Sequence, residues 1–331
     1  MALGPGLKRL IVAAIVSLTI LLVLHQLSYT RDVLSEGELR ESVDLIKRCE
    51  PSSLESLDED RIPNIIHQVW KNSNVSTYST EIEASYDSWK KYFEPLNYTV
   101  KLWTDDDVLR LVKSKYSWLL STYQGYRHNI QRADIARLVI VHAEGGIYAD
   151  LDVSPTSVSK IECLQRLGMQ AIFAPTGGNA GVSNHFFMAK RESRFLQSAL
   201  EEAKRRGGAT SKRILLPYLR VFWSTGPIMV TAAVYKYVWL FGGTKHDLGL
   251  LDEQYTWDVV AHAAGRSWHG TDGQALNYMG DHVRMLVTLM GVMLVLMTVA
   301  FLCFVRMRHG KSIGIFTLNS YLGWAGKWRM I

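Results

Sequence analysis

The segment Gly145-Gly146-Ile147-Tyr148-Ala149-Asp150-Leu151-Asp152-Val153 sets two carboxylates two residues apart, directly behind a glycine pair. Successive side chains of a strand alternate sides, so a strand here would put Tyr148, Asp150 and Asp152 on one face and Ala149, Leu151 and Val153 toward a core. Two carboxylates converging beside a glycine turn form a hard-cation site, and such a cation is the usual clamp for a nucleotide diphosphate. The chemistry this implies is transfer from a nucleotide-activated substrate.

The elements that must position the pair are legible on either side. In Arg127-His128-Asn129 through Gly146 the apolar positions Ile130, Ala133, Ala136 and Ile140 recur at helical spacing, and Gly145-Gly146 supplies the stop. The run reads as an amphipathic helix on which Asp134 and Arg137, three apart, share a face. An isolated Asp-x-x-Arg is a surface ion pair; ahead of a turn that aims two more carboxylates, it reads as part of the site. Upstream, Ile62-Pro63 through Trp70 is a short strand ending in an aromatic residue, and His67 within it reads as a packed strand residue. Tyr98 to Trp103 is a second strand, and Thr104 caps a helix that begins in Asp105-Asp106-Asp107. Helix and strand signals alternate to about Asp281, which predicts an α/β fold around a largely parallel sheet. Gly226-Pro227 opens a helix from Ile228 to Tyr237, and Lys204-Arg205-Arg206 reads as a solvated helix end.

The chain has 331 residues, 48% hydrophobic and 21% charged, enough for one substantial core. A net charge of +6 suits anionic partners, yet no aromatic-basic repeat or other nucleic-acid-binding pattern is present, so nucleic acid is not an expected partner. Cys49, Cys163 and Cys303 are too few for a disulfide scaffold; a Cys49 to Cys163 bridge and three free thiols both remain open.

Two apolar runs predict membrane spans. Residues 10–27 follow Lys8-Arg9 without a small-residue cleavage site, as in an uncleaved signal anchor. Residues 285–305 carry no charge and are flanked by Arg284 and Arg306. Basic residues before the first and after the second place both tails, 1–9 and 306–331, in the cytosol, and a stem (28–60) and catalytic domain (61–282) in the lumen. The sequons at Asn74 and Asn97 fall in that lumenal part.

The ordered set Ile62-Pro63 to Trp70, Leu102-Trp103-Thr104-Asp105, and Arg132-Ala133-Asp134 to Asp152 resembles the DxD-containing glycosyltransferases of family 32. The late Ser267-Trp268-His269-Gly270 and the second span resemble, within it, the fungal inositol phosphoceramide mannosyltransferases. The resemblance covers about residues 61–282. It implies a GT-A-like, Rossmann-type domain, a GDP-mannose donor, Mn2+ or Mg2+, a retaining reaction, an inositol phosphoceramide acceptor, a small regulatory membrane subunit and a Golgi or endoplasmic reticulum membrane. Asp150 and Asp152 become the metal-bearing pair; Asp134 and Arg137 match a helix pair that works on the donor, the arginine as a fork to phosphate or sugar oxygens. Trp70 matches an aromatic residue stacked on the nucleobase, Asn184 a position near the donor sugar, and Tyr148 and Trp268 join the donor-binding set. One of His262, Ser267 and His269 is expected to complete the metal site, and spacing does not choose among them.

Trp268 lies roughly 16 residues before the second span, so at no more than ~3.5 Å per residue the late loop stays near the bilayer, which suits a lipid-borne acceptor. A phosphatase of the haloacid dehalogenase type also has Asp-x-Asp, but after an N-terminal strand and with a later paired aspartate that is missing here. The competing readings are a Golgi α-mannosyltransferase acting on glycoprotein N-glycans and a non-catalytic subunit of a transferase complex.

Overall fold

β-Branched and aromatic runs build the sheet that carries the acidic turn. The computed structural model describes residues 4–33, 43–50, 61–73, 80–176, 181–241, 247–263 and 270–282, with scattered positions between 288 and 306. The described strands are β1 (Asp44–Ile46), β2 (Ile65–Val69), β3 (Thr99–Trp103), β4 (Gly146–Ala149), β5 (Val153–Pro155), β6 (Ala171–Pro175), β7 (Val182–Ala189), β8 (Leu248–Leu251) and β9 (Val260–His262). The helices are α1 (Pro5–Leu27), α2 (Thr80–Phe93), α3 (Asp105–Lys115), α4 (Ser117–Gly125), α5 (Asn129–Glu144), α6 (Val158–Gln165), α7 (Arg194–Arg206), α8 (Pro217–Ser224), α9 (Pro227–Phe241), α10 (Glu253–Val259) and α11 (Thr271–Asp281). Residues Met1–Gly273 form one unit and Gln274–Ile331 a second.

Seven strands pair in the order β1-β8-β6-β7-β4-β2-β3. All neighbours are parallel except β7, which runs antiparallel to both β6 and β4, so the expected largely parallel sheet is mixed. Alternation along the strands divides the core in two. Tyr148, Phe173 and Phe187 face a cluster with α5, α7 and α9, while Ile147, Ile172 and Met188 face one with α2, α6 and α10. β5 and β9 form a separate antiparallel pair in which Val153 opposes His262.

The sequence expectations hold where local chemistry is strong. Thr104 caps α3, its hydroxyl accepting from the Asp107 amide while Asp107 returns a bond to the Thr104 amide. Pro227 stands at the start of α9 as expected. α5 ends at Gly145, but it is not amphipathic: Gln131, Asp134–Val141 and Ala143 are all buried. The helix packs on β2 on one side and α7 on the other, and so has no solvent stripe.

Tertiary contacts bring two further differences and settle one open alternative, the Cys49–Cys163 bridge. Asp44–Ile46, within the stretch expected as a stem, pairs as a parallel edge strand on β8. Cys49 is bonded to Cys163 on α6, 114 residues away, which ties that stretch to the core beneath the sheet. Arg206 is buried rather than solvated, because Glu202 one turn earlier is also buried and takes its Nε at 2.7 Å.

Among the described residues one helix, α1, is long and apolar enough to cross a membrane, and none of its most apolar window is buried. The predicted second span at 285–305 falls mostly outside the described residues; Val292, Met293, Leu296, Met297 and Val299 within it are helical and exposed.

Candidate active site

The acidic pair does not sit within a strand, as alternation predicted, but in the turn just beyond β4. β4 ends at Ala149; the Asp150 amide still donates to His185 O (2.8 Å), after which Val153 N donates back to Asp150 O (2.9 Å). The turn still leaves both carboxylates partly open, with side chains 27% and 22% exposed at Asp150 and Asp152. Leu151 and Val153 are buried as expected. On the exit side, Val153 O accepts from Ser85 Oγ and Trp89 Nε1, each at 2.7 Å, so α2 pins the turn.

The entry side depends on glycine. Gly146 has φ +108°, and a Cβ there would lie 2.4 Å from Ile65 O. His67 Nε2 donates to Gly145 O at 2.8 Å, and its Nδ1 accepts from Trp103 Nε1 at 3.1 Å. Burial pushes the His67 pKa down to about 4, so the ring is a neutral brace under the glycine turn.

Arg137 is the hub of the site. Its Nη1 donates to Asp150 Oδ2 (3.2 Å) and Asn184 O (3.0 Å), its Nη2 meets Asp134 Oδ1 at 3.3 Å, and it lies 5.2 Å over the Tyr148 ring. Burial opposes the charge, but Asp150, Tyr148 and Asp134 together raise its pKa and hold it protonated. Tyr148 is buried and donates to Asp150 Oδ1 at 2.7 Å. Asp134, also buried, accepts from Thr225 Oγ1 (2.8 Å) and Asn184 Nδ2 (3.1 Å). Burial raises the pKa of both Asp134 and Asp150, with Arg137 pulling each back. Asp134 and Arg137 are thus enclosed and orient the open carboxylate of Asp150.

His262 comes to the site through β9, its Nε2 3.4 Å from Asp152 Oδ2. His185, on β7, stacks face to face on it, with centroids 4.3 Å apart and planes 12° from parallel. Sequence reasoning passed over His185 and Thr225. The signal for His185 was its place beside Asn184 at the head of a strand, and for Thr225 its place beside the Gly226-Pro227 helix start. Trp70 follows β2, partly buried, with its amide donating to Trp103 O at 2.9 Å and Lys71 5.7 Å above its ring. Ser267, Trp268 and His269 lie outside the described residues.

A divalent cation fits this donor set. Asp150 and Asp152 offer open oxygens, and each raises the cost of the other's charge, which a cation would relieve. Among the described residues no three acidic, histidine or cysteine side chains close around a point, so ligands beyond Asp150 and Asp152 would come from His262 after a small shift, from the late loop or from the diphosphate.

Residues 79–172, from the region of α2 to β6, match the family described as glycosyltransferase sugar-binding region containing DXD motif. The chain is 28% identical over 221 residues to inositol phosphoceramide mannosyltransferase 1 of Schizosaccharomyces pombe, covering 65% of each chain. It is 27% identical over 231 residues to mannosyl phosphorylinositol ceramide synthase SUR1 of Saccharomyces cerevisiae, covering 67% of this chain and 56% of the relative. The match therefore spans a little under two thirds of the first relative's length and just over half of the other's. Among solved structures, the PaToxG glycosyltransferase overlaps 66% of this chain and 80% of its own, with a TM-score of 0.41 and 16% identity. The sequence matches carry the likeness: residues 79–172 match a glycosyltransferase sugar-binding region containing the DXD motif, and the relatives matched along about two thirds of this chain are named for mannosyl transfer.

Proposed function

We propose that the protein is a retaining mannosyltransferase that moves mannose from GDP-mannose to the inositol headgroup of inositol phosphoceramide. The observation that carries this reading is the open Asp150/Asp152 pair braced by buried Arg137, in a chain whose relatives are named for that transfer. Helix α1 and the Cys49–Cys163 bridge support a membrane-anchored catalytic unit in an oxidising lumen, such as the Golgi.

When bound, Mn2+ or Mg2+ supplies Lewis-acid neutralisation of the diphosphate. Asp150 and Asp152 would hold it, with His262, Ser267 or His269 as the further ligand. Arg137 keeps Asp150 ionised and aimed; Asp134, locked by Thr225 and Asn184, keeps Arg137 in place and adjoins the sugar. Trp70 offers a stacking face for the guanine and Trp268 a further donor contact. No additional carboxylate is assigned as a nucleophile, so the acceptor hydroxyl attacks from the face of the departing phosphate, and the anomeric configuration is kept.

The test is a donor screen with microsomes, manganese and inositol phosphoceramide, with Asp152→Ala as control. GDP-mannose should be the donor consumed, and the product should be the same anomer as the donor by NMR. Transfer from another nucleotide sugar alone, or an inverted product, would remove the corresponding part of the reading.

A further inference from the structure

The end of α1 is fastened to the catalytic unit beside a group of cations that neither the donor site nor an ion pair absorbs. Gln26, in the last turn of α1, donates to Arg213 O (3.3 Å) and accepts from Leu215 N (2.9 Å), while the Tyr29 ring meets Trp223 edge-on at 5.2 Å. An apolar helix that ends at Leu27 brings the bilayer surface to this level. Lys212 and Arg213 are exposed there, and Leu215 is 56% exposed.

Arg220 is directly joined to this contact. Its Nε and Nη2 both donate to Ile214 O, at 3.1 and 2.6 Å. Four residues on, and so on the same face of α8, Ser224 Oγ accepts from Gln131 Nε2 at 2.7 Å in the first turn of α5. With His128 N donating to Gln131 Oε1 at 3.2 Å, that bond ties the end of α8 to the residues that lead into α5, and the Arg220 charge acts on His128. Arg127 is exposed and has no ion-pair partner among the described residues, and its charge acts on both Arg220 and His128. His128 Nε2 is buried, with no hydrogen-bond partner among the described residues, so it would donate to an anion only once its ring turns outward. The acid that acts on this group, Asp272, has its Oδ2 taken by Tyr218 N at 2.7 Å. Arg127 and Arg220, with Asp272 as the one acid that acts on His128 between them, leave a net positive charge at the start of α5, which favours an anion with several acceptor oxygens.

We propose that Arg127, His128 and Arg220 form a binding site for the phosphate of a lipid headgroup rising from the membrane surface beside α1. It rests on the reading of a phosphoinositol lipid as acceptor, and deepens it. From His128 to Asp134 is roughly 9 Å of helix at 1.5 Å per residue, so a phosphate at the start of α5 leaves room for one sugar-sized ring before the donor site. α5 then spans both substrates, with the acceptor phosphate at its first residue and the donor-side Asp134 and Arg137 in its middle.

The test is direct binding, which involves no transfer. The full-length chain in detergent micelles is titrated calorimetrically with myo-inositol 1-phosphate, with inorganic phosphate as the second titrant. The wild type should bind the inositol phosphate at least about 10-fold more tightly than inorganic phosphate. Arg127→Glu should weaken it by at least about 10-fold, with Arg127→Lys within about 2-fold of wild type, as expected of charge-assisted contacts. Arg220→Lys keeps the charge and should also retain binding; a loss there with Arg127→Glu unaffected would mean that Arg220 only clasps Ile214, and the proposal would fall. Equal affinity for both titrants would leave a free-phosphate site and overturn the headgroup assignment, as would no binding by the wild type. If binding behaves as stated and the donor screen shows no transfer to the lipid, the phosphate site stands and the mannosyltransferase reading is what fails.

Discussion

Two buried acid–arginine pairs, each on a helix, have opposite electrostatic outcomes. On α7, Glu202 takes bonds from Arg205 (2.9 Å) and Arg206 (2.7 Å), with Lys236 at 3.4 Å, and Arg206 spends a second donor on Trp223 O. Burial opposes ionisation there, but the two arginines overcome it and bring the Glu202 pKa down to about 2. On α5, one guanidinium serves two carboxylates, Asp134 and Asp150, and burial leaves both with raised pKa values. The first cluster has more cation than acid and is finished as it stands. The second has more acid than cation, with an open carboxylate at its edge, and gains from a further positive charge. That imbalance, more than burial or pairing alone, separates the site from a structural brace.

Removing the open carboxylates tests the comparison most severely. Asp150→Ala and Asp152→Ala should each lower manganese-dependent transfer by at least ~10³-fold, about 4 kcal/mol of transition-state stabilisation. Glu202→Gln should leave the turnover of folded protein within a few fold. A Glu202 variant as dead as Asp152→Ala, with its fold intact by circular dichroism, would erase the distinction.

Arginine-to-lysine exchange comes next. Arg137→Ala and Arg206→Ala should each cost about 3–5 kcal/mol, because each strands buried acid. Arg137→Lys keeps the charge but cannot serve Asp134, Asp150 and Asn184 together, so transfer should drop about 10²-fold. Arg206→Lys should change transfer little. Rates measured beside urea midpoints separate the two.

The pH dependence of stability should differ in sign. Glu202, with its pKa held low, contributes fully above its ordinary value near 4.5, and the contribution fades as pH falls toward 2. It is worth up to about 3 kcal/mol, less the share of exposed Arg205, which solvent screens. Asp134, with its pKa raised, contributes most below its ordinary value and loses that as pH rises through the raised one. Without metal or donor at pH 7, Asp134→Asn should therefore hold or raise the melting temperature, while Glu202→Gln lowers it. Equal drops would count against the imbalance.

The smallest expected effect is at His185. His185→Ala should weaken manganese binding, read by electron paramagnetic resonance, by roughly 3- to 10-fold, because the ring that orients His262 is gone. His185→Phe, which keeps the stack, should restore most of it. Identical losses in both would make stacking irrelevant.

Much of this contrast was legible in residue order, and some was not. Asp150 and Asp152 stood out because carboxylates at that spacing beside two glycines have few structural uses. Asp134 and Arg137 stood out because a helix repeat puts them on one face. Thr104 and Pro227 were readable because capping is local. Lys204 and Arg205 are exposed as the reading of a solvated end expects, but Arg206 was misread, since its burial depends on Glu202 and on α8, whose Trp223 O takes its second donor only once the helices pack. His185 had only its place beside Asn184 to mark it, because a partner 77 residues on reaches it through β5 and β9. β1 was missed for the same reason: three residues pair with β8 two hundred positions later, and nothing local announces it.

The sequence by itself determined the α/β class, the apolar N-terminal helix, the paired carboxylates beside the glycines and the helix that precedes them, all features whose causes lie within a few residues. The tertiary structure alone decided that β7 runs against its neighbours, that Cys49 meets Cys163, and that the acidic pair stands in a turn instead of a strand. It also decided which buried charges are balanced and which are left in want of a cation. Charge balance in a low-dielectric interior is set by every group within a few ångströms, and which groups those are is settled only once distant segments pack together.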